Sequence, residues 1–162
     1  MPTIRPASPA DIPTIEAILL DAVHWIDSIG LHQWNAENVR WGKLSQFYAI
    51  GDFHIAYHDG IPAACAAIID YDPAFWPNIP RGESLFLHKV AVKREYAGMG
   101  FSTQVIDYAK EKAREMGIKT LRLDCHYDRA KVRSLYEQHG FVCVDEQMLF
   151  GSYHTAFYVL EL

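Results

Sequence analysis

The stretch 85–117 constrains the fold of this chain most. Leu85-Phe86-Leu87-His88-Lys89-Val90-Ala91-Val92 is rich in apolar residues on both faces, which predicts a central strand. It leads into Tyr96-Ala97-Gly98-Met99-Gly100-Phe101-Ser102. Val105, Ile106, Ala109, Ala113 and Met116 then mark a helix that stops at Gly117. Glycines let the loop turn its N–H groups toward a ligand, and the helix N-terminus adds unsatisfied donors and a positive dipole end. Together they suit a phosphate or pyrophosphate; an ordinary glycine turn would read the same. Two other glycine loops fail. The Gly-Lys-Ser/Thr ending of a Walker loop is absent, and position 103 of a GxGxxG pattern is Thr.

The flanking segments place this unit in an α/β or α+β domain with a mixed sheet. Ile12, Ile15, Ile18, Leu19, Ala22, Val23 and Ile26 form the stripe of an amphipathic helix, capped by Ser8 or Asp11 and ended by Gly30. Asn35 is expected to cap a second helix running to about Ser45. Phe47–Tyr57 and Ile61–Tyr71 read as a hairpin around His58-Asp59-Gly60. Asp72–Gly82 holds three prolines and reads as a loop. Lys119–Cys125 is a strand, Arg129–His139 a helix, and Phe141–Leu149 and Tyr153–Leu162 are the last two strands.

Composition narrows the function. The chain has 162 residues, which fits one domain over 1–162. A net charge of −5 with mixed signs argues against nucleic-acid binding but leaves room for a small basic pocket. Cys65, Cys125 and Cys143 show no paired spacing, so reduced thiols and a cytoplasmic location are expected. There is no secretory pattern at the N-terminus. The longest apolar run, 61–69, is far short of a membrane span of ~20 residues.

Leu87–Val92, the glycine loop, Leu121-Arg122-Leu123-Asp124-Cys125 and Leu135-Tyr136-Glu137-Gln138-His139-Gly140-Phe141 together resemble the GCN5-related N-acetyltransferase (GNAT) superfamily. Trp25, Gly30, Gln33 and Trp34 match a Trp…Gly…Gln-Trp stretch of some bacterial members. The resemblance implies a mostly antiparallel sheet of about seven strands, helices on both faces, and a splay between the fourth and fifth strands. It implies acetyl-CoA as cosubstrate, a primary amine acceptor, and direct attack in a ternary complex. The amine is expected to be a small molecule. The alternative is a module of the same fold that holds acyl-CoA without transferring the acyl group.

The resemblance also distributes roles. Ala97, Gly98, Met99, Gly100, Phe101 and Ser102 would cradle the pyrophosphate, and Val90, Ala91 and Val92 would lend their backbone to the pantetheine arm. Three positions depart from the pattern. Ala97 stands where Arg or Gln is usual, Ser102 where Gly or Ala is usual, and Arg129 where Asn is common. Arg cannot accept a hydrogen bond, but it could meet a phosphate. Tyr136 matches the general acid that protonates the leaving thiolate. For the base that takes the ammonium proton, Glu83 ranks before His88 and His126. Gln33 and Trp34 fall where the family lines its acceptor side, with His126 beside them as a substrate residue; Trp34 would serve equally as core.

Other chemistries fail on spacing. Cys125 and His126 are neighbours on a strand and point to opposite faces. There is no GxSxG and no HExxH, and no metal is expected. An exposed last strand would offer an edge to a second copy, giving a homodimer.

Overall fold

The computed structural model describes residues 3–31 and 34–162. Seven strands form one sheet: β1 (Thr3–Pro6), β2 (Phe53–His58), β3 (Ile61–Ile69), β4 (Leu85–Val92), β5 (Thr120–His126), β6 (Val142–Leu149) and β7 (Tyr153–Glu161). Their order is β1-β2-β3-β4-β5-β7-β6. The described helices of four residues or more are α1 (Ile12–Ser28), α2 (Trp41–Leu44), α3 (Phe101–Glu115) and α4 (Ala130–Gln138). The pairings of β1 with β2, β2 with β3, β5 with β7 and β6 with β7 are antiparallel, while β4 runs parallel to β5. No described helix is long and apolar enough to cross a membrane.

The chain divides into two compact units, residues 1–68 with 89–105, and residues 69–88 with 106–162. In the first, α1 buries Ile15, Ile18, Leu19, Val23 and Ala22 against Phe53, Ile55, Cys65, Ala67 and Ala91. Burying the five large apolar side chains of α1, Ile26 among them, contributes on the order of 10 kcal/mol before chain entropy is subtracted. Ala56 and Ala64 pack with Phe101 at the start of α3. Ile55 and Ala56 are neighbours on β2, so they point to opposite faces and helices cover both.

In the second unit, Trp76, Phe86 and Phe157 form the core cluster. The parallel β4–β5 ladder pairs only Leu85 with Leu121 and Phe86 with Arg122. Arg133 and Glu137 fasten α4 to β7: Arg133 Nε donates to Tyr158 Oη at 2.8 Å, and that hydroxyl donates to Glu137 Oε1 at 3.0 Å. Tyr136 lies between these two anchors along the chain.

Three expectations need correction. The strand expected from Phe47 begins only at Phe53, because Asp52 Oδ2 accepts the Ala49 N–H at 2.8 Å and folds the chain into a 3-10 turn. The helix expected from Asn35 is a turn followed by the short α2. Asn35 Oδ1 does cap the Asn38 N–H at 2.8 Å, but Arg40 is extended and breaks the run. The last strand is not exposed: β7 lies between β5 and β6, so the edges of the sheet are β1 and β6.

Candidate active site

The glycine loop belongs to the first unit. A 3-10 turn (Arg94–Tyr96) ends in Ala97, and Gly98 and Gly100 follow with φ of +78° and +84°. An L side chain rarely adopts that backbone, so the loop needs glycine at both positions. A Cβ on either would meet no protein atom within 4 Å, so both face open space. The Gln104 N–H reaches the Gly100 carbonyl at 3.1 Å; the amides preceding it at the start of α3 belong to the turn that has no intrahelical acceptor. Phe101 is buried beneath the loop with its ring 5.9 Å from Tyr96 and 6.0 Å from His58, while Met99 is exposed and Ser102 half-buried. A loop of this shape could hold a pyrophosphate by its backbone donors.

Just before the loop, β4 carries a kink. Lys89 has φ +52°, a strained value for a residue with a long side chain, costing about 1–3 kcal/mol. Its carbonyl accepts the Cys65 thiol at 3.8 Å, and its ammonium lies 4.9 Å from the Trp34 ring centre. Val90 and Val92 are half-buried and Ala91 is buried against α1. Trp34 packs on the α1 core, in line with its core reading. Gln33 lies outside the described residues.

The second unit holds the ionisable groups. His88 Nε2 is 2.8 Å from Asp72 Oδ2, and its Nδ1 is 3.8 Å from Asp124 Oδ1. His88 is only 12 % exposed, and both carboxylates less. Asp72 is fixed by the turn it starts: its Oδ1 accepts the Phe75 N–H at 3.4 Å, and its carbonyl accepts the Trp76 N–H at 2.8 Å. On β5, alternation sends Asp124 to one face with Arg122 and His126, and buries Leu123 and Cys125 on the other. Asp72, His88 and Asp124 are also the one group among the described residues with ligand atoms close enough to hold a metal ion, all within 4.8 Å of one another.

Tyr136, Tyr153, Arg129 and Cys125 form the other electrostatic group of this unit. Burial, then the Cys125 thiol and Asp124, push the Tyr136 phenol well above its ordinary range, so it stays protonated. Tyr153 is raised by burial and by Asp124 and Cys125. Burial pushes Cys125 up to about 12, which makes it a neutral thiol and not a nucleophile. Arg129 opposes the two shifts: its charge acts to lower both phenols, while its own pKa is brought down by burial. Arg129 therefore sits electrostatically with the tyrosines.

Of the remaining predicted residues, Glu83 makes no described polar contact with this cluster and His126 borders it. Glu83 is exposed and lies before β4, up to roughly 17 Å of extended chain from His88. Its charge faces Arg122. His126 accepts the Asp128 N–H at Nδ1, 3.2 Å, and its ring meets Tyr153 at 5.3 Å. Asp72, Asp124, Tyr153 and Phe75 are not among the candidate site residues of the sequence. Asp124 carried a readable signal, since residues of its parity on β5 share the His126 face. Asp72 lies 16 residues before its partner and had none.

The acetyltransferase (GNAT) family profile matches residues 21–141, and the chain belongs to that family. It is 25% identical over 144 residues to the uncharacterized N-acetyltransferase YesJ of Bacillus subtilis, covering 84% of this chain and 79% of that one. A GNAT acetyltransferase from Listeria monocytogenes shares the fold at a TM-score of 0.76, with 21% identity, 99% of this chain and 95% of the other. YncA of Salmonella typhimurium, solved with acetyl-CoA, aligns at 0.68 with 19% identity, 100% of this chain and 94% of the other.

Proposed function

We propose that the chain moves an acetyl group from acetyl-CoA to a primary amine on a small molecule, by direct attack and without an acyl-enzyme. The Asp72–His88 pair carries this reading. An amine acceptor is mostly an ammonium ion near neutral pH and must lose a proton to attack. His88 is the imidazole set between two carboxylates, with Asp72 at hydrogen-bond distance and Asp124 further off. That setting orients the ring and offsets the charge it gains on taking a proton, as in other carboxylate–imidazole pairs. The role of base therefore goes to His88 in preference to Glu83.

Acetyl-CoA supplies the thioester: the amine nitrogen bonds to its carbonyl carbon, the C–S bond breaks, and sulfur leaves with the electron pair. Tyr136 donates a hydrogen to that sulfur. Its raised pKa makes full proton transfer uphill by about 1.4 kcal/mol per unit of mismatch, and the Arg129 charge offsets part of this. Gly98–Ser102 hold the pyrophosphate by backbone, and Val90–Val92 present strand amides to the pantetheine arm. An ammonium acceptor loses two protons on becoming an amide. The one taken by His88 passes to solvent. The second, lost from nitrogen after attack, returns to Tyr136 by way of solvent and replaces the one given to the sulfur, so amine, thioester and protons balance.

Cys125 as a covalent relay is disfavoured by its protonated state. The test is release of free CoA from acetyl-CoA with and without a panel of primary amines. Amine-dependent release supports transfer. Tight acetyl-CoA binding with no amine-dependent release means that the chain holds acyl-CoA without transferring it.

A further inference from the structure

Phe75 is the hub of a line of rings in the second unit. Its ring lies 6.2 Å from His88, 6.4 Å from Tyr153 and 5.8 Å from Phe150, the last two edge-to-face. The line begins in solvent and ends at the imidazole. Phe150 is 74% exposed, Phe75 and Tyr153 are half-buried, and His88 is nearly covered. Phe150 is unusual on two counts. It occupies the tight turn between β6 and β7 with φ +52°, a conformation in which a bulky side chain is a genuine outlier. Such turns favour Asn or Asp there, followed by the Gly that position 151 supplies. A large apolar ring is thus held at a strained, wet position where a small polar residue would fit better.

We infer that Phe150, Phe75 and Tyr153 form the wall that binds the body of the acceptor, and that the acceptor is a primary amine on an apolar, ring-sized body. The assignment rests on the transferase reading above. The ammonium end matches the carboxylates of Asp72 and Asp124 around His88, and the rings match an apolar body. The three wall residues carry no carboxylate, so a polyamine would leave its further charges unmatched along them. A small hydrophilic amine would leave the rings unused.

The test compares 2-phenylethylamine with spermidine, using the purified chain, the kinetics of CoA release from acetyl-CoA and calorimetric binding of each amine. The expected result is a KM for 2-phenylethylamine at least tenfold below that for spermidine. Phe150→Ala should raise the former about five- to tenfold, the scale of one lost ring contact, and lower kcat less. Because Phe150 is exposed, that variant should fold; an unchanged melting temperature checks this. Preference for spermidine, or an unchanged KM for 2-phenylethylamine in Phe150→Ala, overturns the assignment and leaves the transferase reading standing. Calorimetric binding of 2-phenylethylamine that is weakened in Phe150→Ala, without acetylation of any amine, supports the wall and sinks the transferase reading. Absence of both binding and turnover for 2-phenylethylamine overturns the wall.

Discussion

His88 Nε2 lies 2.8 Å from Asp72 Oδ2, joining β4 to the turn at 72–76 through one nearly buried pair. Its other nitrogen looks toward Asp124, so the ring has a carboxyl group on both sides. His88→Gln is expected to lower kcat/KM by about 10²–10⁴-fold, the usual worth of a positioned base. Asp72→Asn keeps an oxygen for the Phe75 N–H and loses the charge. It should cost less and shift the acidic limb of the pH–rate profile. A profile whose acidic limb survives His88→Gln and vanishes in Glu83→Gln would return the role to Glu83.

Tyr136, buried, and Tyr153, half-buried, are two phenols raised by the same neighbours. Tyr136→Phe should lower turnover by about 10²-fold with little loss of acetyl-CoA affinity. Tyr153→Phe should raise the acceptor KM more than it lowers kcat. Arg129→Gln should reduce kcat more than it weakens acetyl-CoA binding, because its charge acts on the phenols. A binding loss that exceeds the loss of turnover would place Arg129 on a phosphate. Steady-state kinetics beside calorimetry separates the two.

Gly98 and Gly100 lie in left-handed backbone with open space ahead of them. Ala at either position forces about 1–2 kcal/mol of strain or a shift of the loop. Acetyl-CoA affinity should fall about tenfold for each. Ala97→Gln leaves the backbone alone and should change affinity by less than threefold. A large gain from that substitution would show that the backbone cradle is insufficient by itself.

Burial pushes the thiols of Cys65 and Cys125 up to about 12. Free thiols titrate near 8.5. The fold therefore favours the neutral form. That contribution is whole below about pH 8.5 and is lost as pH climbs from there to about 12. Denaturant midpoints should fall across this window, and replacing both cysteines by Ala should flatten the slope. Tyr136 and Tyr153 add a loss of the same sign above about pH 10, which should persist in that variant.

Local patterns carried much of this architecture. The two-sided apolar run of β4 and the periodicity of α1 and α3 are properties of a few consecutive residues, and each was legible. The glycine turn was legible for the same reason, since Gly98 and Gly100 set its backbone within three residues, whereas the groups around Tyr136 come from β5 and β7. Pairings across the chain were not legible. Nothing near Asp72 announces that it will meet His88, because the intervening segment is a proline-rich loop whose path no periodicity sets. The position of β7 inside the sheet follows from the chain passing through α4 to the edge strand β6 before the hairpin returns. That order depends on which strand β5 pairs with, and an alternating apolar pattern suits an internal or an edge strand equally. Glu83 ranked above His88 because the resemblance puts a general base at the start of that strand, and a partner from another loop is not visible in a sequence.

The most direct test of the account is a single-turnover experiment with acetyl-CoA, a primary amine and excess enzyme, read by mass spectrometry of amine and intact protein. The account predicts N-acetylated amine and free CoA in equal amounts, protein of unchanged mass throughout, and a strongly slowed reaction in His88→Gln. An acetylated protein that forms before the product would contradict direct attack, and a bound acetyl-CoA that no primary amine consumes would contradict transfer.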